Sequence, residues 1–226
     1  MSIPDIIAID GPAASGKSTL GHRLAQALGY LYFDTGVMYR AVTWLALTRG
    51  VDVDDEAAIT SLAEQAQIDV QPPVIQDGRA YTVSLDERDI TWEIRQPEVE
   101  KYVSPVSAYA GVRKALSAQQ RKIGKRGKVV MVGRDIGTVV LPDAQLKIYL
   151  DASAEVRASR RYKELIDRGE QADYDAILES MRRRDQIDSG RKVAPLRPAD
   201  DARILCSDGL DADQVFTIAM SMVTGK

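Results

Sequence analysis

An α/β fold, a parallel sheet flanked by helices, follows from three observations in this 226-residue chain. Short apolar runs of strand length, such as Ile6-Ile7-Ala8-Ile9 and Lys128-Val129-Val130-Met131-Val132, alternate with stretches whose apolar residues recur at helical spacing. Strands separated by helices pair in parallel and bury both faces, which is why the runs are continuous rather than alternating. One middle segment, 68–90, breaks this pattern with short β-rich pieces between turn residues.

The elements are predicted in order as follows. Ile6–Ile9 is the first strand. Leu20, Leu24 and Leu28 mark one face of the first helix, and Gly29 stops it. Tyr30–Phe33 is a second strand, followed by a helix through Met38–Thr48. Asp54 or Asp55 caps a third helix bearing Ile59, Leu62, Ala63 and Ala66. Ile68–Val70, Ala80–Leu85 and Ile90 form a small antiparallel meander, punctuated by Pro72-Pro73, Asp77-Gly78 and Asp86. Pro97 and Pro105 mark the return to the core, and helix resumes at Ala108–Ile123. Lys128–Val132 and Leu146–Leu150 are the third and fourth core strands. A helix starts at Asp151-Ala152-Ser153, and a basic helical region continues to Asp188. Ile204–Cys206 is the fifth strand and Asp213–Val223 the closing helix.

Composition narrows the function classes. Hydrophobic residues are 45% and charged residues 28%, as in ordinary globular proteins. A net charge of −3 supplies no global field for a nucleic acid polymer or an anionic membrane. No apolar run approaches the ~20 residues that span a bilayer, and Asp5 and Asp10 interrupt the N-terminal apolar stretch, so no secretory signal is expected. The single cysteine, Cys206, rules out an intrachain disulfide and fits a reducing cytoplasmic setting; within Ile204-Leu205-Cys206 it reads as a buried structural thiol.

The chemistry begins at Gly11-Pro12-Ala13-Ala14-Ser15-Gly16-Lys17-Ser18-Thr19, which fits G-x-x-x-x-G-K-[ST] between a strand and a helix. Backbone N–H groups at that helix N-terminus lack intrahelical partners and lie at the positive end of the helix dipole. Lys17 is placed to reach β- and γ-phosphates, and the Ser18 hydroxyl to ligate Mg²⁺. The core is therefore of the P-loop NTPase type. Ligands in open α/β sheets bind beyond the carboxyl ends of strands. Those ends here carry the loop, Asp34-Thr35-Gly36, Gly133-Arg134-Asp135, and Asp151 with its following helix.

Arg157, Arg160 and Arg161 share one side of a helix, and Arg184, Asp188 and Arg191 another. Each set is either a solvated charged face or a source of bidentate donors for phosphoryl oxygens. His22 reads as a surface or packing residue. Trp44 and Trp92 read as core; Tyr102 and Tyr109 are core or a stacking wall. No nucleophile–base pair and no zinc-ligand pattern is present.

With these segments assembled, the chain closely resembles bacterial cytidylate kinases over nearly its whole length. The resemblance rests on Ile9–Thr19, on Asp34-Thr35-Gly36-Val37-Met38-Tyr39-Arg40, on Gly133-Arg134-Asp135 through Ala144, and on Arg184-Asp185 through Leu196. Val37 stands where the family usually has alanine.

The resemblance implies transfer of a phosphoryl group from ATP to CMP or dCMP, with Mg²⁺. ATP would sit on Gly11–Thr19 with Arg157 nearby, and Lys17, Arg134, Arg160 and Arg161 would act on the transferred group. Asp34, Thr35, Tyr39, Arg40, Ser104, Arg113, Arg134, Asp135, Arg184, Asp188 and Arg191 would bind CMP. Among these, Arg40 and Arg134 hold the phosphate, and Thr35, Arg113, Asp135 and Arg191 read the base. Ser104, Arg184 and Asp188 contact the sugar. The implied organisation is a single kinase chain with core 1–37, 106–152 and 173–226, a monophosphate-binding region 38–105 containing the β insertion, and a helical lid 153–172. It also implies a monomer. A regulatory P-loop switch would carry a guanine-reading Asn-Lys-x-Asp segment, which is missing. A different small-molecule kinase is the other alternative.

Overall fold

The computed structural model describes residues 3–225. Five parallel strands, β1 (Ile6–Asp10), β2 (Leu31–Asp34), β6 (Val129–Gly133), β7 (Leu146–Asp151) and β8 (Arg203–Cys206), form one sheet in the order β2-β6-β1-β7-β8. β1 and β6 are central, which is why Ile7, Ala8, Ile9 and Val129–Met131 are wholly buried. The residues between β2 and β6 include the three-stranded antiparallel sheet β3 (Ile68–Gln71), β4 (Thr82–Leu85) and β5 (Arg88–Asp89). Arg79 ties this insertion together by hydrogen-bonding both oxygens of Asp77 and one of Asp89.

The helices are α1 (Lys17–Leu28), α2 (Gly36–Thr48), α3 (Glu56–Gln65), α4 (Pro97–Val106), α5 (Ala110–Gly124), α6 (Ala154–Asp167), α7 (Tyr174–Gly190) and α8 (Ala212–Thr224). Gly29 ends α1 in the left-handed conformation at φ 67°, its N–H donating to the Ala25 and Gln26 carbonyls. Asp55, rather than Asp54, caps α3 by accepting from Ala58 N at 3.0 Å. Asp211 and Gln214 form a reciprocal capping box on α8.

Three expectations are corrected. The stretch 97–106 is a helix, α4, and not a bare return segment. Pro97 sits in its first turn, where no intrahelical N–H is needed, and Pro105 falls in its last turn. Cys206 is exposed. β8 is an edge strand whose residues alternate in facing; Leu205 is buried while Ile204 is 62% exposed. Trp92 is exposed rather than core, its indole N–H donating to Asp77 at the rim of the insertion, whereas Trp44 is buried. The basic region after β7 is two helices, α6 and α7, with Gly169 at φ 76° in the turn between them.

Candidate active site

The loop after β1 owes its path to glycine. Gly11 has φ 150°, and a Cβ there would lie 2.1 Å from the Leu150 carbonyl oxygen of β7. Gly16, at φ 94°, turns the chain into α1. Lys17 is buried and folds back over its own loop, donating to the Pro12 carbonyl, with Ser15 Oγ at 3.4 Å. Burial holds its pKa well below the usual lysine value, and the nearby Arg134 guanidinium lowers it further. Ser18 Oγ donates to Asp34 Oδ2 at 3.2 Å, while Asp34 Oδ1 accepts from Gly36 N at 3.0 Å. Beside Ser15, Gly16 and Thr19 lies a cleft of about 180 Å³, also lined by Arg160, Ser207 and Leu210.

Asp10, the last residue of β1, reaches the turn after β6, where its carboxylate accepts from Ile136 N and Gly137 N, each at 2.7 Å. Its pKa is pushed up to about 6 by burial, against the lowering effect of those two N–H groups. Arg134 Nε pairs with Asp188 Oδ2 at 2.9 Å, and Arg191 pairs with the other oxygen of the same carboxylate. Arg113 Nη2 lies 2.9 Å from Asp135 Oδ1, both side chains almost fully buried. Burial raises the Asp135 pKa and Arg113 opposes the rise. The Arg113 guanidinium also stands 5.7 Å from the centre of the Tyr39 ring.

The polar atoms left over around Tyr39 are the informative ones. Among the described residues, six buried side-chain N or O atoms lack a hydrogen-bond partner, and five belong to Arg113 (Nε, Nη2), Gln120 (Nε2), Asp135 (Oδ2) and Arg191 (Nε). Arg113, Asp135 and Arg191 lie near enough to act on the Tyr39 hydroxyl through their charges, and Gln120 approaches the same hydroxyl. Arg113 Nη2 has its ion-pair distance to Asp135 but not hydrogen-bond alignment. A buried orphan costs about 1–3 kcal/mol, so five in one place describe a surface shaped for a polar guest. A ligand offering one donor, to Asp135, and several acceptors would satisfy these atoms.

Other predicted residues lie around this cluster. Thr35 is buried and donates to the Val132 carbonyl at 3.0 Å. Arg40 pairs with Glu100 of α4. Ser104 and Arg184 are exposed, on α4 and α7. The α6 arginines diverge despite their shared sequence spacing. Arg157 is buried and binds Ala152 O (2.9 Å), Ala13 O of the glycine loop (3.1 Å) and both oxygens of Asp185 on α7. Arg160 donates to Ser207 O at 2.7 Å and Ser207 Oγ at 3.1 Å. Arg161 faces outward and pairs with Glu164 at 2.9 Å.

Sequence reasoning passed over Asp10, Gln120 and Asp185. Asp10 carried a signal, since it directly precedes the loop at a strand end. Gln120 sits on the inner face of α5 together with Arg113, seven positions and so about two helical turns away in a buried stripe, yet a lone glutamine announces nothing.

The model of the cytidylate kinase family matches residues 7–225. The chain belongs to the cytidylate kinase family. Relatives named cytidylate kinase agree: that of Herpetosiphon aurantiacus is 52% identical over 99% of this chain and 96% of its own length. That of Chloroflexus aggregans is 54% identical over 98% and 94%, and that of Bacillus licheniformis 44% over 97% and 96%. A solved structure of an uncharacterized protein from Eubacterium ventriosum shares the fold, with TM-score 0.53 at 11% identity over 98% of this chain and 99% of that one. Family membership makes the chain a nucleoside monophosphate kinase, a phosphotransferase.

Proposed function

We propose that this chain transfers the γ-phosphoryl group of ATP to CMP or dCMP, giving ADP and CDP or dCDP, and that the cluster around Tyr39 reads the cytosine. The observation that carries the base assignment is the inventory of unpartnered atoms: one acceptor, on Asp135, and four donors, on Arg113, Gln120 and Arg191. Cytosine offers the complement, an amino donor beside a bare ring nitrogen and a carbonyl. Uracil would set a carbonyl against Asp135 and an N–H against a guanidinium. Adenine has an amino group and a bare nitrogen but no neighbouring carbonyl, which leaves donors unpaired, and purines are larger.

The donor nucleotide takes its phosphates on Gly11–Thr19, with its base directed toward the cleft beside Thr19 and Ser207. Lys17 exchanges the Pro12 carbonyl for phosphate oxygens, and its charge is stabilised by the anion it meets. The residues present suit Mg²⁺: Ser18 and Asp34 bring two hard oxygens to within 3.2 Å of each other. No group of three or more His, Cys, Asp or Glu able to hold a metal is found among the described residues. That fits an ion held partly by substrate phosphates. When bound, Mg²⁺ neutralises charge on the β- and γ-phosphates. Arg134 and Arg40 orient the acceptor phosphate, and Asp188, which already holds Arg134 and Arg191, contacts the sugar with Arg184 and Ser104.

Residues 38–105 act as the monophosphate-binding region and 153–172 as a lid on the core formed by 1–37, 106–152 and 173–226. Arg157 supports the glycine loop from behind, while Arg160 and Arg161 turn inward on closure to shield the reaction from water. The chain is proposed to act as a monomer. No helix among the described residues is long and apolar enough to cross a membrane. A cytoplasmic location is part of the proposal. The test is a panel of acceptors with ATP: CMP, dCMP, UMP, AMP, GMP and shikimate. CMP and dCMP should lead UMP in kcat/KM by roughly 10²-fold or more. A preference for any non-cytosine acceptor overturns the reading.

A further inference from the structure

We infer that Asp10 is a positioning residue that locks the acceptor-binding turn, Arg134-Asp135, to the strand that launches the phosphate loop. The inference rests on the acceptor roles of Arg134 and Asp135 given above and assigns a new residue to that site.

The geometry is a staple around two residues. The backbone of Asp10 stands in register with Gly133, the last residue of β6. Its side chain then reaches past the turn and accepts from Ile136 N and Gly137 N, both at 2.7 Å. Arg134 and Asp135 are thus strung between two attachments to one residue. The next residue in the chain, Gly11, opens the phosphate loop. One carboxylate therefore fixes the spacing between the donor loop and the acceptor turn, a spacing on which in-line transfer depends.

The surroundings are built for this contact. Ile136–Val140 is a π-helical turn, whose first N–H groups need outside acceptors. Asp10 is 4% exposed and supplies both acceptors. A Cβ at Gly137 would come within 3.1 Å of Lys147 Cδ and 3.3 Å of Asp10 Oδ2, so a side chain there presses directly on this contact. The far end of the turn is held separately, by Arg121 donating to the Val139 and Val140 carbonyls. Only a carboxylate suits the near end: an asparagine of the same shape accepts one N–H and turns its own N–H₂ against the other.

The test compares Asp10→Asn with wild type by steady-state kinetics in both substrates, by direct binding of ADP, and by amide hydrogen exchange. The expected result is a CMP KM raised at least about tenfold and a kcat lowered about tenfold, with ADP affinity changed less than about threefold, together with faster exchange at Ile136 and Gly137 but not in β1 or β6. General loss of structure would weaken ADP and CMP alike. A folded Asp10→Asn protein with CMP KM and kcat within twofold of wild type overturns the proposal, as does an ADP loss equal to the CMP loss. If Asp10→Asn does not fold, Gly137→Ala, which crowds the same contact, must show the CMP-selective defect, and wild-type exchange at Ile136 and Gly137 must be among the slowest outside the sheet. Failure of either overturns it. Arg134→Ala is run in parallel: if it leaves CMP kinetics intact, the acceptor reading itself has failed, whereas a CMP defect there beside a normal Asp10→Asn condemns the Asp10 role alone.

Discussion

Two sets of arginines flank the crevice, and the protein holds them in opposite ways. On the acceptor side, Arg113 and Asp135 are paired at 4% and 7% side-chain exposure, and Asp188, at 3%, grips Arg134 and Arg191 at 22% and 13%; Arg40, paired with the exposed Glu100, is the exception there. On the α6 side, Arg161 and Glu164 are paired at 40% and 43% exposure, and Arg160 binds neutral carbonyls of the loop after β8. Exposed pairs are worth under about 1 kcal/mol and are readily exchanged for a triphosphate. Buried pairs are costly to break and keep their geometry whether or not a guest is present. The proposed acceptor pocket is therefore shaped in advance, with unpartnered atoms already aimed, whereas the proposed donor-side arginines would have to be recruited. Arg157 belongs to the first kind although it shares a helix with the second, because Asp185 and Ala13 O fix it.

The largest effect should come from the residue between the two sets. Lys17→Ala should lower kcat by roughly 10³-fold in a folded protein; circular dichroism and stopped-time assays check it, and a near wild-type kcat would remove Lys17 from the chemistry. Next in size is a stability effect. Burial lifts the folded-state pKa of Asp10 to about 6, from an ordinary aspartate value of about 3.9. Between those values the folded protein keeps a proton that the unfolded chain has released. Stability accordingly falls as pH rises through that window and levels off above it, a loss of about 3 kcal/mol attributable to Asp10. Asp10→Asn should lose that slope in denaturant titrations between pH 4 and 6.5, and superimposable slopes would contradict the assignment.

On the recruited side, Arg160→Ala should reduce kcat about tenfold while leaving CMP KM within twofold, the signature of a group that matters only once the lid closes. A rise in CMP KM instead would place Arg160 with the acceptor set. The smallest change is expected at Gln120. Replacing it by leucine removes one of several donors, so CMP KM should rise roughly fivefold, about 1 kcal/mol, with UMP less affected.

The same contrast explains what could be read from the sequence. The glycine loop was legible because its spacing is fixed by local backbone geometry. The strand ends were legible because continuous apolar runs mark a sheet covered on both faces. Arg134, Asp135 and Asp188 could be placed at strand and helix positions, but their pairing could not, since Arg134 and Asp188 are 54 positions apart. The staple from Asp10 to Ile136 spans 126 positions, and a π-helical turn has no periodic signature to announce it. α4 is hard to read because proline signals a stop, yet Pro97 sits in its first turn and Pro105 in its last. Cys206 and Trp92 were misplaced for one reason: an apolar neighbourhood in sequence does not distinguish a central strand from an edge, or a core from a rim.

The central claim, that a preformed set of buried donors and one acceptor selects cytosine, is tested most directly at Asp135. The measurement is kcat/KM for CMP and for UMP in wild type and in Asp135→Asn. The amide can turn its N–H₂ toward the uracil carbonyl, so the account predicts that CMP falls far more than UMP and that their ratio drops by roughly 10²-fold. Equal losses for both substrates, with the ratio unchanged, would contradict it and assign Asp135 to the phosphate end of the site.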